Sequence, residues 1–229
     1  MGNLSEFLME ELNVATAFTI PIFGGIEVAE STVISWVIMA IIVILTLVLT
    51  RNMRVEKPGK LQVGVEYTVT ALQNLVRGII GHEGERYVPY LSTVLVFLGI
   101  SNIFAIFGMK PPTKDLNVTA ALALMSIILV QAASIRQNKV GGWLKGFTKP
   151  SKVITPLNVM ELAIRPLSLC MRLFGNVMGA FVVMKLLEHL VPVILPAVFS
   201  LYFDFFDGLL QACVFVFLTG LYIKEAVEE

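Results

Sequence analysis

Residues 156–189 carry Glu161, Arg165, Ser168, Arg172, Asn176 and Gly179 at steps of four, three, four, four and three, among Leu, Val, Met and Phe. On a helix of 3.6 residues per turn all six fall on one face. Residues 193–222 carry a second set, Ser200, Asp204, Asp207 and Gln211, at steps of four, three and four, again a single stripe. An ionisable group inside an apolar span costs about 2.5–3.5 kcal/mol on insertion scales, so such groups face a cavity or a partner. Two polar stripes on neighbouring helices therefore point to an aqueous path for ions.

Each of these residues also has a plainer reading. Ser168, Ser200 and Asn176 could equally be interhelical hydrogen bonds that hold a bundle together. Glu161 and Arg165 are an i,i+4 pair, and a salt bridge accounts for Arg165. Lys185, beside Glu188 and His189, can snorkel to headgroups, and His82 in the polar run Gly81-His-Glu-Gly-Glu-Arg86 reads as a solvated surface. Arg172 resists such accounts. It lies about midway along its stretch and keeps its proton at any relevant pH, so it needs a counter-charge. Asp204 and Asp207 are candidates, yet a helix running back the other way brings Gln211 closer to the level of Arg172. The carboxylate that answers Arg172 is therefore expected from another chain.

These stripes need a membrane around them, and the composition supplies one. The chain has 229 residues, 56% hydrophobic and 15% charged, against ~25% charged in an average soluble domain. Such a chain cannot cover a soluble surface with charge, so its apolar area faces lipid. Seventeen basic and seventeen acidic residues cancel, which removes any charge argument for a nucleic-acid partner. Cys170 and Cys213 sit in apolar stretches without a second ligand at metal-binding spacing and read as small apolar residues. No metal site, no cofactor and no Walker-type phosphate loop is expected.

A hydrocarbon core of ~30 Å takes ~20 helical residues. The expectation is an all-α polytopic membrane protein in a single domain. Residues 1–31 form an outside segment, 32–50, 87–107 and 116–134 are spans, and 156–189 and 193–222 are long, tilted helices. Each of the last two has ~30 residues or more, ~45–50 Å at 1.5 Å per residue, so it must tilt, kink or run along the interface. Pro166 offers a kink, and Pro192 and Pro196 mark the turn between the pair. Residues 61–80 place Leu61, Val65, Leu72, Val76 and Ile79 at helical spacing, which reads as one amphipathic helix on the cytoplasmic surface.

The basic residues set the orientation. Arg51, Arg54, Lys57, Lys60, Arg77 and Arg86 follow the first span, Arg136, Lys139, Lys145, Lys149 and Lys152 follow the third, and only Lys110 and Lys114 lie between the second and third. This gives about five spans with the N-terminus outside and the C-terminus in the cytoplasm. The first 31 residues contain no Lys or Arg, so they lack the basic leader of a signal peptide and are expected to be retained.

Arg172-Leu-Phe-Gly-Asn176, preceded by Pro166-Leu-Ser168, resembles the signature of the subunit a family of F-type ATP synthases. Pro112-Thr-Lys-Asp115-Leu-Asn117-Val-Thr119, Pro156-Leu-Asn158-Val-Met-Glu161 and Gln211-Ala-Cys-Val-Phe215 resemble further segments of that family, so the likeness extends over most of the chain. It implies a stator in the bacterial plasma membrane, beside a rotating ring of c subunits, with the peripheral-stalk subunit b and the remaining synthase subunits as partners. It implies no catalysis by this chain alone. It further implies two offset half-channels, with Arg172 driving proton or sodium exchange at the ring carboxylates. The ion path would draw on Ser168, Asn176, Gln211 and Glu161, and on Glu188, Asp204 and Asp207 at the outer side. Many family members place an acid where this chain has Phe181, so the outer path here is expected to be rebuilt from Glu188, Asp204 and Asp207. A self-contained transporter or channel is the alternative, although no internal repeat of the usual kind is visible.

Overall fold

The computed structural model describes residues 16–20, 26–54, 58–82, 84–104, 111–146, 155–190 and 199–228. Among the expectations above, those on residues 1–15, on Lys57, Lys110, Lys149, Lys152, Pro192 and Pro196, and on the side chains of Lys145, His189 and Asp204 lie outside the described residues.

A short two-stranded hairpin precedes the first helix of the helical bundle. Strands β1 (Thr16–Ile20) and β2 (Ile26–Ala29) pair antiparallel, with Phe18 opposite Val28 and Thr19 opposite Glu27. Their β-branched and aromatic residues favour extended pairing, a signal too short to separate from loop in the sequence. Helix α1 (Glu30–Thr50) follows directly. It buries Ser35 and Ile38 and leaves Val43, Ile44, Leu47 and Val48 more than half exposed, as expected of a helix that is solvated by lipid over most of its circumference.

Helix α2 (Lys60–Ile80) realises its apolar stripe only in part. Val76 and Ile80 are buried and Leu72 is packed against the core, whereas Leu61 is 80% exposed. The helix ends at Gly81, whose φ of 77° lies in the left-handed region and whose N–H donates to Arg77 O at 2.9 Å. An ion pair between Arg77 and Glu85 at 3.3 Å spans the turn.

Helix α3 (Val88–Ile103) has 16 residues, about 24 Å at the usual rise. It is shorter than the expected 87–107 span, and residues 105–107 lie outside the described set. Four helical stretches among the described residues are long and apolar enough to cross a membrane, namely Glu30–Thr50, Leu116–Trp143, Thr155–Glu188 and Leu201–Val227. Helix α4 (Leu116–Gly146) outruns the expected 116–134, and its regular path breaks at Lys139, φ 57° and ψ 165°. Beyond that break Trp143 Nε1 donates to Gln131 Oε1 at 2.8 Å, folding the end back along the helix.

The two long elements are α5 (Thr155–Leu190, 36 residues) and a composite last helix. α5 continues through Pro166 without a break in its assignment. The last helix starts as a π-helical segment (Leu201–Asp207) and becomes α6 (Gly208–Glu228). The spacing argument that put Ser200, Asp204, Asp207 and Gln211 on one stripe assumed α-helical turns. Bonds of the i to i+5 kind widen those turns, so that phase does not hold from 201 to 207.

α6 is the hub of the bundle. It packs on α2, α3 and α4, and Ala212, Phe215, Val216 and Ile223 lie at most 1% exposed among Val76, Leu91, Leu98 and Val130. The seam with α3 includes a close approach, where Asn102 Nδ2 donates to Gly208 O at 2.7 Å and Asn102 Oδ1 accepts from Thr113 Oγ1 at 2.8 Å. A Cβ built on Gly208 would stand 2.8 Å from Asn102 Cβ, so only glycine fits where the π-helical and α-helical parts meet. Replacing Gly208 by Ala should cost about 1–3 kcal/mol through this clash. That cost should appear as a lower melting temperature of the purified protein in detergent, and an unchanged value would contradict so tight a seam.

Candidate functional site

The buried side of α5 consists of Leu169, Cys170, Leu173 and Met184, facing chiefly α4. Cys170 Sγ lies 3.6 Å from Thr119 Oγ1, and both cysteines are free thiols, as small packed residues should be. The polar stripe points away from this seam. Glu161, Arg172, Asn176 and Gly179 are exposed and Arg165 and Ser168 half-buried, so the periodicity read from the sequence is the one the helix adopts.

Two polar bridges cross from this face to α6. Asn176 Nδ2 donates to Gln211 Oε1 at 2.7 Å. Gln211 is 4% exposed, and its Nε2 has no hydrogen-bond partner among the described residues. This bridge sets Gln211 level with Asn176, one turn along from Arg172 rather than beside it. The second bridge is ionic. Arg165 Nη2 donates to Glu161 Oε2 at 3.0 Å within α5 and to Glu225 Oε1 at 2.8 Å on α6. The Arg165 guanidinium also lies 5.0 Å from the centre of the Tyr222 ring. The pair with Glu161 was legible as an i,i+4 spacing, but Glu225, sixty residues away, was not.

Arg172 lies between the two bridges along α5 and takes part in neither. It forms no ion pair or hydrogen bond among the described residues. Ser168, on the same stripe, and Asp207, half-buried in the π-helical segment, likewise bond to no described group. Asp204 belongs to that segment, with its side chain outside the described set. The structure thus brings together Asn176 with Gln211 and Arg165 with Glu161, and leaves Arg172 open.

The end of α5 that holds Phe181 has a different character. Glu188 is taken by Lys185 at 2.9 Å, so Lys185 does not bridge to Asp207. The Phe181 ring carries the Lys114 ammonium 3.5 Å from its centre and Lys185 at 5.8 Å. Lys114 stands in the short turn Pro112–Lys114, and Pro111 to Asp115 are all buried, although the sequence reads as an outer loop. Asp115 makes that burial possible. Its Oδ2 accepts from Ser31 on α1, its Oδ1 accepts the Asn117 N–H at 2.9 Å, and it caps the start of α4. Asn102, Thr113, Asp115 and Glu225 are the residues sequence reasoning left out, and the run Pro-Thr-Lys-Asp next to Asn117 was the one signal available for them.

Comparison with known proteins adds an independent line. A family model described as the ATP synthase A chain matches residues 32–224. ATP synthase subunit a of Moorella thermoacetica is 37% identical over 205 residues, 89% of this chain and 93% of the relative. ATP synthase subunit a 1 of Hahella chejuensis is 33% identical over 207 residues, 90% and 87% of the two chains. A protein of Propionigenium modestum named ATP synthase subunit a, sodium ion specific, is 31% identical over 219 residues, 89% of this chain and 75% of the relative.

The Asn176–Gln211 bridge generates a direct test. Asn176→Ala and Gln211→Ala each leave one amide unpaired between helices, so the double variant should lose less than the sum of the two. The expected coupling is about 0.5–1.7 kcal/mol in the range found for interhelical hydrogen bonds. Thermal unfolding of the four proteins in detergent measures it, and strict additivity would remove the bridge.

Proposed function

We propose that this chain, which belongs to the ATP synthase A chain family, presents Arg172 to the membrane-embedded carboxylates of a rotating c-subunit ring, between two offset aqueous half-channels. The chain is a multi-pass membrane subunit of the ATP synthase complex and is not catalytic alone. The observation that carries the finer reading is the open guanidinium of Arg172, exposed on a stripe whose other arginine is paired. A permanent cation on an apolar helix, paired with no acid among the described residues, fits a surface whose counter-charge arrives on a partner.

The chemistry follows from electrostatics. A carboxylate about 4 Å from a unit cation gains about 4 kcal/mol at an effective dielectric of ~20, equivalent to about three pKa units. A protonated ring carboxylate reaching Arg172 gives up its proton, and on leaving Arg172 it takes up another from the opposite path. The same fixed charge opposes passage of a bare cation between the half-channels. Lys would not substitute, because it can deprotonate when buried and lacks the planar fork.

In this reading Glu161 borders the cytoplasmic path, and Ser168, Asn176 and Gln211 line the cleft near Arg172. Gln211 has an amide N–H to offer there. Glu188, Asp204 and Asp207 serve the outer path, which carries H⁺ or Na⁺. The ring, the peripheral-stalk subunit b and the remaining synthase subunits are its partners in a bacterial plasma membrane. The placement of Lys and Arg supports an outside N-terminus and a cytoplasmic C-terminus.

Arg172→Ala should lower ion-driven ATP synthesis per assembled complex in reconstituted vesicles by at least about a hundredfold, consistent with the loss of several kcal/mol. Arg172→Lys should fail nearly as badly, and near-normal synthesis by Arg172→Ala would refute the reading. In the same vesicles, Asp204→Asn with Asp207→Asn should assemble normally yet slow synthesis several-fold. Full activity of that double variant would take both aspartates out of the path.

A further inference from the structure

The stripe on α5 bears two guanidinium groups on one face, Arg165 and Arg172, seven residues and so about 10 Å apart along the axis. Their surroundings differ. Arg165 is held between Glu161 at 3.0 Å and Glu225 at 2.8 Å, with its guanidinium over the Tyr222 ring, whereas Arg172 pairs with no acid among the described residues. Glu225 and Tyr222 are three residues apart on α6, so one helical turn of the last helix supplies both groups to Arg165. The Arg165 side chain is 21% exposed, so its charge is shielded by these groups more than by solvent.

We propose that Glu225, together with Glu161, is a positioning residue for ion exchange. By more than offsetting the charge of Arg165, the pair leaves a passing ring carboxylate with one uncompensated cation, Arg172. The inference rests on the reading of Arg172 given above. A bare cation on Arg165, about 10 Å from a carboxylate at Arg172, would still favour the ionised carboxylate about tenfold at an effective dielectric of ~20. That excess holds the carboxylate ionised when it should be taking up a proton and moving on. Glu161 alone cancels that excess, and Glu225, kept in place by the bridge to α6, gives the cluster a net charge of −1 that opposes ionisation by a similar factor.

A mere brace between helices would make a different prediction, and the two are separable. In vesicles containing the whole complex, Glu225→Gln should reduce ATP synthesis per assembled complex about tenfold. Adding Arg165→Gln returns the cluster to its original net charge and should return the rate to within about twofold of the unmodified complex, although the bridge is still absent. A double variant as slow as Glu225→Gln would assign Glu225 to bracing alone, and Glu225→Gln at full rate would deny it any role, so either outcome overturns the proposal. Should Glu225→Gln fail to assemble, Glu225→Ser, with and without Arg165→Gln, tests the same signs. Arg172→Ala measured alongside separates the two levels. Synthesis by that variant defeats the reading of Arg172, while its inactivity together with an unaffected Glu225→Gln defeats only the present inference.

Discussion

An arginine keeps its proton at every pH a membrane meets, and a charge that cannot be shed has to be answered or kept at an aqueous edge. Arg172 is answered by no described residue, and the arrangement of the bundle around it is consistent with that constraint. α5 gives only one side, Leu169, Cys170 and Leu173, to the core and keeps the side bearing Arg172 open. Had the helix been packed all round, the guanidinium would be buried without a partner, which is among the most costly arrangements a low-dielectric interior allows.

The other helices compensate for a helix held from one side. α6 is packed on α2, α3 and α4 and provides the fixed reference against which α5 is set. The polar links between these two helices include Asn176 to Gln211 and Arg165 to Glu225, on either side of Arg172 along α5. In a bilayer, where apolar contacts between helices gain little over apolar contacts with lipid, such polar links and close small-residue approaches carry much of the specificity. Gly208 against Asn102 is an approach of that kind, and it coincides with the change from π-helical to α-helical bonding just after Asp207.

At the other end of α5, Phe181 stands where the family resemblance leads one to expect an acid, and its ring meets a cation. The ring is a platform for Lys114, held by the turn that Asp115 ties to α1 and α4. The acids Asp204 and Asp207 are carried instead by the π-helical segment. Such segments recur at functional sites because their widened turns re-aim side chains.

The sequence alone determined whatever depends on local pattern and on the solvent. The excess of apolar residues required a membrane, the charge-free runs pointed to α1 and α4, and the steps from Glu161 to Gly179 put one polar face on α5, because helical periodicity is a property of the chain itself. The i,i+4 pair of Glu161 and Arg165 was legible for the same reason. Tertiary structure decided what depends on residues distant in the chain. The partnering of Arg165 with Glu225, of Asn176 with Gln211 and of Lys114 with Phe181 was hidden because no local pattern states which helix faces which. The burial of Pro111 to Asp115 was hidden because it needs Asn102 and Ser31 to satisfy its polar groups. The π-helical turn at 201–207 was beyond a reading that assumes 3.6 residues per turn, since an irregular turn persists only where neighbouring helices, here through Asn102 at Gly208, take up the backbone groups it displaces.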